Sequence, residues 1–103
     1  MTTAHVKAED GTPAAQANDR IRLTVRALRS AYDVDVPVLA RYVGVSRNTL
    51  YNRLNGMGPF SGGELVRIAE FFDTTVQAIC DGSVTISPNN PPPMTTTELH
   101  TRR

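Results

Sequence analysis

Apolar residues recur at helical spacing through the middle of this chain and thin out toward both ends. Ile21, Val25, Leu28 and Tyr32 fall at i, i+4, i+7 and i+11, which is one stripe of a helix. That helix is expected to begin at Asn18 or Asp19, either of which can cap it. Arg22, Arg26 and Arg29 repeat the spacing on an adjoining face. Asp33-Val34-Asp35 then interrupts the stripe and offers the next cap. A second helix is predicted over Val36–Val43, with Pro37 in its first turn, where a missing N–H costs little, and Leu39, Ala40 and Val43 facing inward. Gly44 is the turn residue, because a left-handed backbone is cheapest without a side chain. Val45 can plug the core beneath that turn. Ser46 caps a third helix that ends at Asn55-Gly56, with Leu50 and Leu54 as its apolar back.

The pattern continues with a capping box. Ser61 precedes Glu64 by three residues, which offsets the poor helix formers Gly62 and Gly63. Leu65, Ile68, Ala69 and Phe72 make the buried stripe of a fourth helix. Thr74 or Thr75 can cap a short fifth helix through Ile79, and Asp81-Gly82 stops it. Beyond Gly82 the composition turns to Ser-Pro, Asn-Asn, Pro91-Pro92-Pro93 and Thr95-Thr96-Thr97. A linker or disordered tail over 83–103 is favoured there over a brief strand at Val84-Thr85-Ile86. Residues 1–18, rich in Ala, Thr, Gly and Pro without period, are expected to form a flexible arm. The fold class is thus all-α: a compact five-helix domain over 19–82 between an N-terminal arm and a Pro/Thr-rich C-terminal tail.

Composition sharpens this picture only when mapped. The chain of 103 residues has a net charge of +1, yet residues 20–55 hold seven arginines against Asp33 and Asp35. That local excess is the electrostatic footprint of a phosphate-binding face. Ten of the eleven basic residues are arginine, which fits a high-GC genome. The single Cys80 can form no internal disulfide and has no cysteine partner for zinc, so it is expected to be a buried structural thiol. No stretch is apolar and long enough to span a bilayer, and a cytoplasmic, nucleoid-associated protein is expected. An enzyme is not expected: His5 and His100 lie in the two tails, no catalytic base faces Cys80, and no complete phosphate-cradling glycine loop is present. Neither a cofactor nor a small-molecule substrate is expected.

Residues 36–55 read as two short helices around a tight turn, the helix-turn-helix arrangement that lays its second helix in the major groove of duplex DNA. The helix over 46–55 carries the candidate chemistry. Opposite Leu50 and Leu54 lie Asn48, Asn52 and Asn55, with Tyr51 beside them and Arg47 in the first turn. Arginine can bond guanine O6 and N7 with two donors, and asparagine can do the same with adenine N6 and N7. Asparagine is a poor interior helix former, so its repetition here points to a role other than helicity. Arg47, Asn48, Tyr51 and Asn52 are the candidate base readers. Ser46, Thr49, Asn55, Arg53, Arg41, Arg22 and Arg26 are the candidate phosphate contacts.

These residues resemble the Cro and lambda-repressor type of helix-turn-helix regulators over about 19–82. The resemblance rests on Leu39-Ala40, Gly44-Val45-Ser46-Arg47, Leu50 and Asn55-Gly56, followed by Leu65, Ile68-Ala69, Phe72 and Ile79. It implies sequence-specific binding of double-stranded DNA, usually as a repressor competing with RNA polymerase. The short chain and detached tail look most like a temperate-phage immunity repressor, of an actinobacteriophage. Two positions depart from the family pattern. Val36 stands where a phosphate-bracing glutamine is common. Arg53 stands where an apolar residue is common, which shifts the core contact to Leu54 and offers Arg53 to the DNA backbone. The fifth helix looks short, so a monomer or weak homodimer is expected, on an asymmetric operator. The rival reading is an antitoxin or anti-repressor whose helices bind protein, with Asn48 and Asn52 as bystanders.

Overall fold

In the computed structural model, which describes residues 11–86, those residues form five α-helices joined by short turns. They are α1 (Pro13–Ala31), α2 (Val36–Val43), α3 (Arg47–Leu54), α4 (Gly62–Phe71) and α5 (Val76–Asp81). No strand occurs among the described residues, and Val84-Thr85-Ile86 is irregular.

Helix α1 starts earlier than the apolar stripe suggested. The Thr12 side chain accepts a hydrogen bond from Ala15 N at 3.0 Å, and Pro13 follows in the first turn. Ala14-Ala15-Gln16-Ala17 has high helix propensity and carries the helix back from Asn18 to that cap. Residues 13–18 are therefore helical rather than part of an arm. Residues 1–10 of the expected arm, and the tail beyond residue 86, lie outside the described residues. Helices α2 and α3 occupy the stretches their patterns predicted, and α5 runs through Asp81, two residues beyond Ile79. Asp35 stands at the start of α2 but makes no side-chain capping bond. Its backbone carbonyl instead accepts from Val38 and Leu39, both at 3.1 Å. Ser61 and Glu64 form the full capping box of α4, and Thr75 caps α5.

All five helices stop in the same way. One residue adopts a left-handed backbone, and the N–H of the next returns to a carbonyl five residues back: Val34 to Arg29, Val45 to Ala40, Met57 to Asn52, Thr74 to Ala69 and Ser83 to Ala78. The left-handed residue is Gly44, Gly56 or Gly82 at three of these ends, and Asp33 (φ 53°) or Asp73 (φ 55°) at the other two. Asp tolerates that conformation better than most side chains do, because its short polar group can bond locally. Gly44 bears most directly on the outward face of α3, since it fixes the angle between α2 and α3.

The core gathers one face of every helix. Val25, Leu28, Leu39, Leu50, Ile68, Phe71 and Ile79 are fully buried. Helix α1 packs on α3 and α5, and α4 packs on α2 and α5, so α3 is held between α1 and α2. Phe71, which the sequence stripe omitted in favour of Phe72, is the largest buried side chain. Its ring meets Tyr42 edge-on at 5.3 Å and Phe72 at 5.0 Å. Phe72 is buried too, so the pair turns the end of α4 into the centre of the core. Cys80 is half-buried against this core rather than sealed within it.

Candidate nucleic-acid interface

The site is built on α3, an eight-residue helix with two buried side chains, Leu50 and Leu54, one turn apart. Burying each contributes roughly 1.5–3 kcal/mol and fixes which face turns outward. At its start, the Ser46 hydroxyl accepts from Thr49 N at 3.0 Å and donates to Thr49 Oγ1 at 2.9 Å. At its end, Asn55 precedes Gly56, whose φ of 83° allows the chain to reverse.

The candidate base readers share the outward face. Arg47, Asn48 and Asn52 are exposed, and Tyr51 is 49% exposed beside them. None of these four side chains has a hydrogen-bond or ion-pair partner among the described residues. The helix thus presents a row of unspent donors and acceptors, with its own free N–H groups at the Arg47 end.

The candidate phosphate contacts behave differently. Arg26 Nη1 donates to the Leu54 carbonyl at 3.0 Å and to Asn55 Oδ1 at 3.3 Å, so α1 caps the end of α3. Arg53 is drawn toward α4 rather than released to a DNA backbone: Nε donates to Glu64 Oε1 at 3.0 Å and Nη2 to Oε2 at 3.3 Å. The Arg53 guanidinium holds the Glu64 carboxyl below the usual carboxylate range, aided by the Ser61 N–H. Arg22 pairs with Asp19 at 3.3 Å in a loose contact, since the aspartate is 64% exposed. Ser46 and Thr49 are joined in the cap. Arg41 alone of the seven is exposed and without a partner among the described residues.

Other arginines are also engaged. Arg29 donates to Val34 O at 3.0 Å, and Arg20 to Cys80 O at 2.8 Å. Arg67 lies 4.1 Å over the Tyr42 ring, donates to the Tyr42 carbonyl and pairs with Glu70 at 2.7 Å. Five of the seven arginines of residues 20–55 are therefore hydrogen-bonded within the domain, two of them to carboxylates, while Arg41 and Arg47, on either side of the Gly44 turn, have no partner among the described residues. The sequence pattern did not show the partners that consume the rest. Glu64 was legible as half of a capping box, but nothing in its spacing revealed that it also receives Arg53. Met57, 69% exposed just past α3, carried no signal in the sequence either.

Among the described residues no cluster of His, Cys, Asp and Glu could hold a metal ion, and no helix is long and apolar enough to cross a membrane. A family model described as helix-turn-helix matches residues 38–79, which runs from the first turn of α2 into α5. The match supports a DNA-binding regulator of the helix-turn-helix kind. No curated protein and no solved structure matches the chain.

Proposed function

We propose that the chain is a sequence-specific repressor that binds double-stranded DNA and reads the major groove with α3. The observation that carries this reading is the contrast on one helix: Arg47, Asn48, Tyr51 and Asn52 are outward and without partners among the described residues, while the polar groups around them are bonded within the domain. A helix that only met solvent would have no use for two unpartnered asparagines, which weaken it.

In this reading Arg47 meets a guanine at the start of the helix and Asn48 and Asn52 meet adenines, with Tyr51 against a base edge or methyl. Arg41, and Arg22 once it leaves Asp19, neutralise phosphates. Thr49, through its hydroxyl proton, and Asn55, through its amide, can each still donate to the backbone. Ser46 holds the helix N-terminus, whose free N–H groups attract a phosphate. Arg26 and Arg53 hold the helix in place. Repression follows by occlusion of RNA polymerase, as the resemblance to phage immunity repressors suggests. The domain acts as a monomer or weak dimer.

Selection of binding sites from random duplex DNA by the purified chain tests this. A single enriched motif with guanine and adenine contacts is expected, asymmetric if one copy binds. Absence of enrichment, with no binding even at low salt, would instead make the helices a protein-binding scaffold of the antitoxin kind.

A further inference from the structure

A helix anchored along one stripe is free to roll about that stripe. Leu50 and Leu54 lie one turn apart, so they settle which face of α3 turns outward but hold its fine rotation only loosely. Arg53 precedes Leu54 and Asn55 succeeds it, about 100° round the helix in opposite directions. Each of these flanking residues is tied to a different neighbour. Arg53 reaches α4 through two hydrogen bonds to Glu64. Asn55 and the Leu54 carbonyl are gripped by Arg26 of α1.

We infer that Arg53 and Glu64, opposed by Arg26, are positioning residues that set the roll of α3, and with it the bases that Asn52 meets. This role rests on α3 reading DNA as proposed. Both ends of the strut are fixed. Glu64 Oε1 also accepts from Ser61 N at 3.0 Å, which locks the carboxylate to the first turn of α4. The Arg53 guanidinium lies against the turn at Gly58, where a Cβ would stand 3.3 Å from Nη1 and where φ is +132°. The pair is sheltered, with side chains 26% and 13% exposed, so water competes poorly for it. Side-chain tips sit about 5–6 Å from the helix axis, so a roll of about 10° would move them by about 1 Å. That exceeds the tolerance of about 0.5 Å for a well-made recognition contact.

The test uses the full chain with Arg53→Leu and Glu64→Gln. Glutamine at the third position still completes a capping box, so Glu64→Gln preserves the start of α4 while weakening the two-point grip on Arg53. Affinities are measured for the selected duplex, for each of its single-base variants and for a random duplex, with Asn52→Ala marking the bases under Asn52. Both variants are expected to lose selectivity about tenfold at those marked positions. Affinity for random duplex should stay unchanged, and the double variant should be no worse than either single. Unaltered selectivity in both variants overturns the strut. Equal weakening on selected and random duplex also overturns it and makes Arg53 a phosphate contact. If the wild-type chain enriches no site, the DNA-reading proposal itself falls, and the strut with it.

Discussion

At the scale of single residues, what distinguishes the side chains of α3 is whether the fold has already used their hydrogen-bonding capacity. Arg47 and Asn52 have no partner among the described residues, while Arg53, next to Asn52 and equally polar, is consumed by Glu64. Arg47→Ala should therefore cost binding about 1–3 kcal/mol and relax preference at one base position. Competition titrations against single-base variants check this, and an equal loss on every duplex would reassign Arg47 to the backbone. Leu50 is the counterpart on the inner face. It is fully buried, and Leu50→Ala should destabilise the domain by about 2–5 kcal/mol. That loss would be visible as a large drop in melting temperature. A melting point that barely moves would mean that the helix is held by something other than its apolar back.

At the scale of elements, the join between α3 and α4 carries a charge that pH can remove. Glu64 is more acidic in the folded chain than in the unfolded one, first because Arg53 donates to it and then because Ser61 N does. A depressed folded-state value means the contribution is complete above the unfolded carboxyl value of about 4.3 and is lost as pH falls through the lower, folded value. The melting temperature of the wild-type chain should exceed that of Glu64→Gln at neutral pH, and the gap should close as the solution is acidified through that range. Thermal melts at a series of pH values check the convergence. A constant gap would show that the loss comes from packing rather than from the ion pair. The Gly44 turn is the other determinant at this scale. Its φ of +94° sets the crossing of α2 and α3, and a Cβ there would touch nothing within 4 Å. Gly44→Ala should thus cost about 1–2 kcal/mol from backbone strain alone, measurable by denaturant unfolding. A much larger cost would point to a clash that the open space around Gly44 does not contain.

At the scale of the whole molecule, most arginines of the helical domain spend hydrogen-bond donors on the domain itself, although Arg20, Arg26 and Arg67 remain exposed. Six of the eight arginines between residues 11 and 86 bond within the domain, which leaves Arg41 and Arg47 on either side of the turn. Binding should therefore weaken with salt less steeply than the arginine content suggests. Arg41→Gln should lower the slope of log K against log salt by about one, whereas Arg67→Gln, replacing an arginine spent on Tyr42 and Glu70, should leave it unchanged. Filter or fluorescence titrations from low to moderate salt distinguish the two. Identical slopes would mean that charge is not partitioned in this way.

Where the helices lie is legible in the chain alone, because its causes are local. Apolar spacing marked the first four, a threonine cap and Gly82 bounded the fifth, and the Ser61–Glu64 box and the Gly44 turn fixed boundaries without help from distant residues. The one large misreading, the start of α1, was also local: the Thr12-Pro13 start lies outside the apolar stripe, in a stretch where alanines carry no periodic signal. The outward face of α3 was legible for the same reason, since Leu50 and Leu54 dictate what points away from them. Pairing between helices was decided only in three dimensions. Arg26 lies 28 residues from Leu54, and Arg53 lies 11 from Glu64. A regular arginine spacing looks the same whether those charges face phosphate or a neighbouring helix end. Packing α1, α3 and α4 against one core brings carbonyls and carboxylates within reach of most of those arginines. It leaves Arg41, Arg47 and the asparagines at 48 and 52 of α3 without partners among the described residues.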